Sequence, residues 1–246
     1  MTFHSIPLVV ACPALLLIFL AAAYGGATAQ RRHGAGGGDS TSIVITAASS
    51  LLGLLIAFTF AIALGRYEVR RDLIVREATA VRNVVHRAAL LPVSANSEIV
   101  AQTRDYLNTR IAFETDDPSI TRSPRAREAT VHLQEKLWLT AVSLPANNGP
   151  LLDALTELFS TADSRASANA ETIPNFVLAI VILISAAISA IIGFATGLPG
   201  IAPPRLPILI YVTVLALALT LILDLDRPTR GGVRVSTAPF LELLER

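Results

Sequence analysis

The chain carries a single cysteine, Cys12, so no disulfide framework can be built within it. Net charge is nearly absent: 20 basic side chains against 19 acidic ones leave +1, which offers no basic footprint for nucleic acid. There is no GxGxxG, Walker loop, nucleophile elbow or CxxC. The histidines His4, His33, His86 and His132 share no metal-ligand spacing, and His86 and His132 fall on polar helix faces as solvated side chains. No metal, cofactor or enzymatic chemistry is therefore expected. The absence that decides most is local. Ser5–Gln30, Ser40–Gly65, Thr172–Pro204 and Leu206–Leu223 contain no Asp, Glu, Lys or Arg. In a chain that is 52% hydrophobic, each stretch can supply the roughly 20 apolar residues that cross about 30 Å of hydrocarbon. That excludes a soluble globular enzyme.

The first span is placed near Ile6–Tyr24. Ala27-Thr28-Ala29 resembles a signal-peptide cleavage site, but no basic residue precedes the apolar run and the run is too long for an h-region, so a retained helix is expected. Gly34–Gly38 then forms a flexible external linker rather than a phosphate cradle, because no strand precedes it. The remaining spans are placed near Ile43–Leu64, Pro174–Ala195 and Leu206–Leu223. Arginine placement orients them. Arg66, Arg70, Arg71, Arg76, Arg82, Arg165, Arg227, Arg230, Arg234 and Arg246 fall on one side, whereas Arg31, Arg32 and Arg205 fall on the other. Both termini and the long segment after the second span are thus expected in the cytoplasm, in contact at one end with the lipid bilayer.

That segment reads as helical. Glu68 with Arg71, and Asp72 with Arg76, have helical spacing, and Ile74, Ala78, Val81, Val85 and Ala88 mark an apolar stripe. No Gly or Pro interrupts Arg66–Leu91, so the second span should continue as one helix about 70 Å long, ended by Pro92. Ser97–Phe113 carries Ile99, Val100, Tyr106, Leu107 and Ile111. A helix opened by Pro124 after an N-capping Ser123 carries Val131, Leu133, Leu137, Trp138 and Val142. The last, from Pro150, carries Leu152, Leu155, Leu158, Phe159, Ala162 and Ala166 and is expected to feed into the third span. The fold class is all-α: an integral membrane protein with four transmembrane helices and a cytoplasmic helical bundle inserted between the second and third. Its regions are 1–65, 66–173, 174–224 and a cytoplasmic tail, 225–246.

Three features of the spans invite a functional reading. Small residues recur every four positions at Ser49, Gly53, Ala57, Ala61 and Gly65, and again at Ser185, Ser189, Gly193 and Gly197. Such ridges let helix backbones approach closely in lipid, within or between subunits. Opposite the first ridge, Leu54, Phe58 and Ile62 recur at the same interval; they are either ordinary span filling or successive rings of a hydrophobic constriction. Asp224 and Asp226, beside Arg227, close the fourth span, and carboxylates at a membrane boundary need partners, for which Arg66, Arg70 and Arg71 are expected.

The run Leu51-Leu52-Gly53-Leu54-Leu55-Ile56-Ala57-Phe58-Thr59-Phe60-Ala61-Ile62-Ala63-Leu64, followed by Arg66-Tyr67-Glu68, Arg70-Arg71 and Glu77-Ala78, resembles the signature of the bestrophin-like domain family of bacterial membrane proteins. So does the ending Leu223-Asp224-Leu225-Asp226-Arg227-Pro228-Thr229-Arg230-Gly231, with Arg234-Val235-Ser236 and Pro239. The chain departs from the pattern at Val81-Arg82-Asn83. The resemblance implies a multi-pass protein of the bacterial inner membrane. Through the likeness to bestrophins, which are pentameric anion channels with a hydrophobic neck on the second span, it also implies a homo-oligomer, a pentamer on that plan, that passes inorganic anions. Leu54, Phe58 and Ile62 would occupy the neck. The alternative from the residues is a non-conducting scaffold or sensor whose cytoplasmic bundle binds a partner protein.

Overall fold

A computed structural model describes residues 7–33, 39–115, 124–144, 148–196, 205–227, 232–233 and 235–244. Among the described residues there is no strand. The helices are α1 (Leu8–His33), α2 (Asp39–Ala88), α3 (Val93–Thr115), α4 (Pro124–Ser143), α5 (Gly149–Ala170), α6 (Asn175–Thr196), α7 (Arg205–Leu225) and α8 (Ala238–Leu244). Apolar stretches long enough to cross a membrane occur in four helical runs: Leu8–Arg32, Ser42–Ala88, Gly149–Thr196 and Leu206–Leu225. In the third of these the charge-free part is α6. The chain divides into two compact units, one of 1–66, 172–227 and 231–233, the other of 67–171, 228–230 and 234–246.

In the first unit α1 packs on α6 and α7, and α6 on α7. The side of α1 that is covered repeats every four residues, at Ala11, Leu15, Phe19, Ala23 and Ala27. At the crossing with α6 the two backbones touch. A Cβ on Gly193 would land on the Ala23 carbonyl, and one on Gly26 would land on the Ala190 carbonyl. Only glycine permits that approach, which is how helices in lipid gain van der Waals contact without a hydrophobic driving force. The rest of the α6 ridge, Ser185 and Ser189, is buried. Its hydroxyls donate back to the Val181 and Ser185 carbonyls at 2.7 and 2.8 Å, so neither hydroxyl is left unsatisfied in an apolar setting.

Helix α2 is unbroken over 50 residues, or about 75 Å. It ends in tight turns, Leu90 N–H to Arg87 O and Leu91 N–H to Ala88 O, ahead of Pro92. From there a second core is built: Ile74, Val81, Val84 and Ala88 of α2, Ile99, Tyr106 and Leu107 of α3, Leu137 and Ala141 of α4, Leu151, Ala154, Leu155 and Leu158 of α5, and Phe240 of α8. Each large side chain so buried contributes about 1.5–3 kcal/mol of transfer free energy.

Two expectations need correction. The apolar row expected on α4 mixes two faces: Leu137 faces the core together with Ala141, while Val131, Trp138 and Val142 are exposed. The stripe on α5 passes through Ala162 to Arg165, buried, rather than to Ala166, exposed. Helix α5 leads into α6 through residues 171–174, which are non-helical, since Pro174 lacks an amide hydrogen and disfavours helical backbone before it. The expected linker Gly34–Gly38, the N-cap Ser123 and Gly197 of the α6 ridge lie outside the described residues.

Candidate functional site

On α2 the chain covers one side and leaves the other bare. Leu52, Thr59 and Ala63 are buried, and Thr59 donates its hydroxyl to the Leu55 carbonyl at 2.8 Å. Leu54, Phe58 and Ile62 are 54%, 62% and 52% exposed. The small residues Gly53, Ala57 and Ala61 are exposed too, and a Cβ on Gly53 or Gly65 would meet nothing within 4 Å. At about 100° per residue, Gly53 and Leu54 stand little more than a quarter-turn apart. The small and large rows are therefore neighbours on one bare half of the helix, not opposite faces as their intervals alone suggest. The two small-residue ridges also differ in use. That of α6 is consumed by α1 inside the chain, whereas on α2 Gly53, Ala57 and Ala61 are left bare.

Where the fourth span closes, backbone groups supply the described partners. Both carboxylate oxygens of Asp226 accept the Ile173 N–H, at 3.1 and 2.8 Å, which ties the residue before Pro174 and α6 to the end of α7. Asp224 accepts Gly232 N–H at 2.9 Å through Oδ1 and Val233 N–H at 3.0 Å through Oδ2. Arg70, buried in the helical unit, donates from Nε to the Ala168 carbonyl at 3.2 Å and from Nη2 to the Glu171 carbonyl at 2.7 Å. These are orphan carbonyls at the end of α5, where a cation is also favoured by the helix dipole. Arg71 is exposed, Arg227 is buried, and Nη1 of Arg66 is buried without a hydrogen-bond partner.

The most concentrated chemistry lies in the helical unit and was not anticipated as a site. Glu77 of α2 is fully buried. Its Oε1 accepts the Tyr106 hydroxyl at 2.6 Å and Arg110 Nε at 2.8 Å; its Oε2 accepts Arg110 Nη2 at 3.0 Å and Arg165 Nη1 at 2.8 Å. Arg165 in turn lies over the Phe240 ring, 5.3 Å from its centroid. Burial alone would raise the Glu77 pKa, but the charges of Arg110 and Arg165 and the hydrogen bonds from Arg110 and Tyr106 outweigh it and hold the carboxyl at about 2. Burial, reinforced by the Glu77 charge, pushes the Tyr106 hydroxyl well up. Burial lowers Arg165, against the pull of Glu77, whereas Glu77 overcomes burial at Arg110 and raises it. One carboxylate thus holds two guanidiniums and a phenol from α3 and α5. The signal was present in the sequence: Glu77 interrupts the α2 stripe between Ile74 and Ala78, and an ionised side chain on an apolar helix face requires a partner.

The family profile of the bestrophin-like domain matches residues 9–240. This chain belongs to the bestrophin-like domain family. In fold it is similar to the crystal structure of a bacterial bestrophin homologue from Klebsiella pneumoniae carrying a tyrosine-to-alanine mutation. The TM-score is 0.71 at 15% identity, with 94% of this chain and 95% of that chain covered. No curated protein matches the chain. A likeness at such identity is one of fold, and what a bestrophin-like chain does has to be argued from its own side chains. Among the described residues of this bestrophin-like protein, no group of three or more His, Cys, Asp or Glu could hold a metal ion.

Proposed function

We propose that this bestrophin-like protein is an oligomeric channel of a bacterial inner membrane, permeable to inorganic anions, with α2 lining the pore and Leu54, Phe58 and Ile62 forming its neck. The observation that carries this is the bare half of α2. Three large apolar side chains, each more than half exposed, recur every four residues beside an equally bare ridge of Gly53, Ala57 and Ala61. Around a symmetry axis the large row would stack as apolar rings, which can gate ions by dewetting, while the small row lets the neighbouring copy approach closely. A pentamer fits the plan of bestrophins. Arginine placement supports an orientation with both termini and 66–173 in the cytoplasm and with Arg66, Arg71 and Arg227 at the membrane boundary. Flux from reconstituted liposomes tests the proposal: replacing Phe58 and Ile62 with alanine should raise anion efflux, and absence of flux from both forms across pH and calcium levels would sink it.

A second reading has one observation in its favour. Val131, Trp138, Leu139 and Val142 of α4 are exposed at 43%, 39%, 68% and 51%, an apolar surface that a partner protein could cover in a non-conducting scaffold or sensor. A monomer or dimer in mild detergent, with one stoichiometric protein bound to the helical unit, would favour it over the channel.

A further inference from the structure

Because α2 is unbroken from Asp39 to Ala88, its faces can be followed along the helix at about 100° per residue. Continuing the row of Leu54, Phe58 and Ile62 in steps of three or four residues brings up Gly65, Val69, Asp72 and Arg76. Val69 is 53% exposed, and the side chains of Asp72 and Arg76 are 56% and 69% exposed. Arg66, four residues after Ile62, is half-buried; Asp72 and Arg76 are the first exposed ionisable residues on this row. They meet each other as well: Arg76 Nε donates to Asp72 Oδ2 at 2.7 Å. An exposed pair at this spacing adds little to helix stability, so the fold does not account for its place in the row.

We propose that Asp72 and Arg76 set the charge selectivity of the pore, as a self-neutralising pair of rings following the apolar neck. This rests on the reading of α2 as the pore helix. In an assembly of symmetric copies each residue repeats around the axis. With every carboxylate held against a guanidinium one turn away, the opposite fields cancel beyond a few ångströms, and a passing ion meets an almost neutral wall. Anion preference would then be weak in the native protein and adjustable in either direction. Asp72→Asn leaves a ring of guanidiniums, which favours anions; Arg76→Gln leaves a ring of carboxylates, which favours cations.

The test is the reversal potential of the full-length protein in planar bilayers under a potassium chloride gradient. The anion-to-cation permeability ratio should rise by about threefold or more for Asp72→Asn and fall by a similar factor for Arg76→Gln, with both shifts shrinking at high salt. Phe58→Ala is measured alongside. If it alters conductance while neither charge variant moves the reversal potential, the pair lies off the conduction path and this inference is overturned with the channel reading intact. If no form conducts, both are overturned. Melting of the two charge variants close to that of the native protein confirms that the folded states are being compared.

Discussion

Replacing Glu77 by glutamine keeps the shape of the side chain and removes one negative charge, leaving the buried guanidiniums of Arg110 and Arg165 facing a neutral amide. The depression of the carboxyl from 4.5 to about 2 corresponds to about 3 kcal/mol of preferential stabilisation of its charged form. Removing one partner of a buried ion pair costs about 3–5 kcal/mol by general experience, so the two routes to the number agree. For a chain of this size each kcal/mol moves the melting temperature by about 2–4 °C, so Glu77→Gln should melt roughly 6–20 °C below the native protein. The assay is built in: the only tryptophan, Trp138, sits 6.4 Å from Phe159 across α4 and α5, so its fluorescence in mild detergent follows the unit that contains Glu77. Adding Arg165→Met to Glu77→Gln should recover part of the loss, because an apolar side chain of similar length removes one stranded charge. A single variant melting within about 2 °C of the native protein would show that the cluster tolerates an uncompensated charge, and the reasoning would fail.

Acid should act through the same residue. A carboxyl whose folded pKa is depressed contributes stability that is present above pH 4.5 and lost as pH falls from there toward 2, so the melting temperature of Glu77→Gln should drop less over that window than that of the native protein. Gly193→Ala drives a methyl group into the Ala23 carbonyl and should cost about 1–3 kcal/mol in thermal melts, whereas Gly53→Ala, with open space around it, should change the melt of a detergent-dissociated protomer by less than about 0.5 kcal/mol. Gly53→Leu should instead lower the assembly's mass in native electrophoresis; an unchanged mass would remove the α2 ridge from the subunit contact. Asp226→Ala takes both acceptor oxygens from the buried Ile173 amide and should cost about 1–3 kcal/mol, read as faster proteolysis near residues 171–174.

Much of the fold could be read directly, because charge placement and proline are strong signals. Four charge-free stretches mark the spans, and the absence of Gly and Pro after Arg66 foretells the long continuation of α2. The α1–α6 crossing was half legible: the α6 ridge stood out, while Gly26, its counterpart, sits in a helix whose small residues drew attention only as a cleavage motif. On α4 and α5 apolar residues fall on more than one face, so an apolar row takes in Trp138, which is exposed, and misses Arg165, which is buried. Arginine is taken for a surface residue by default, and the carboxylate that pairs with Arg165 lies 88 positions away in the chain. The backbone amides that Asp224 and Asp226 accept from were illegible for another reason: every residue but proline carries one, so no side-chain pattern announces them.

Phe240 has a consequence for how the protein is made. The unit it completes is discontinuous, taking in 67–171 and then, after two more apolar helices, the last few residues. A ribosome delivering this chain has made α2 to α5 long before Phe240 exists. The helical unit must therefore wait, with Arg165 lacking its aromatic cover, until the two intervening apolar helices and Phe240 have been made. A nascent chain stalled before residue 240 should present an open core to chaperones and proteases.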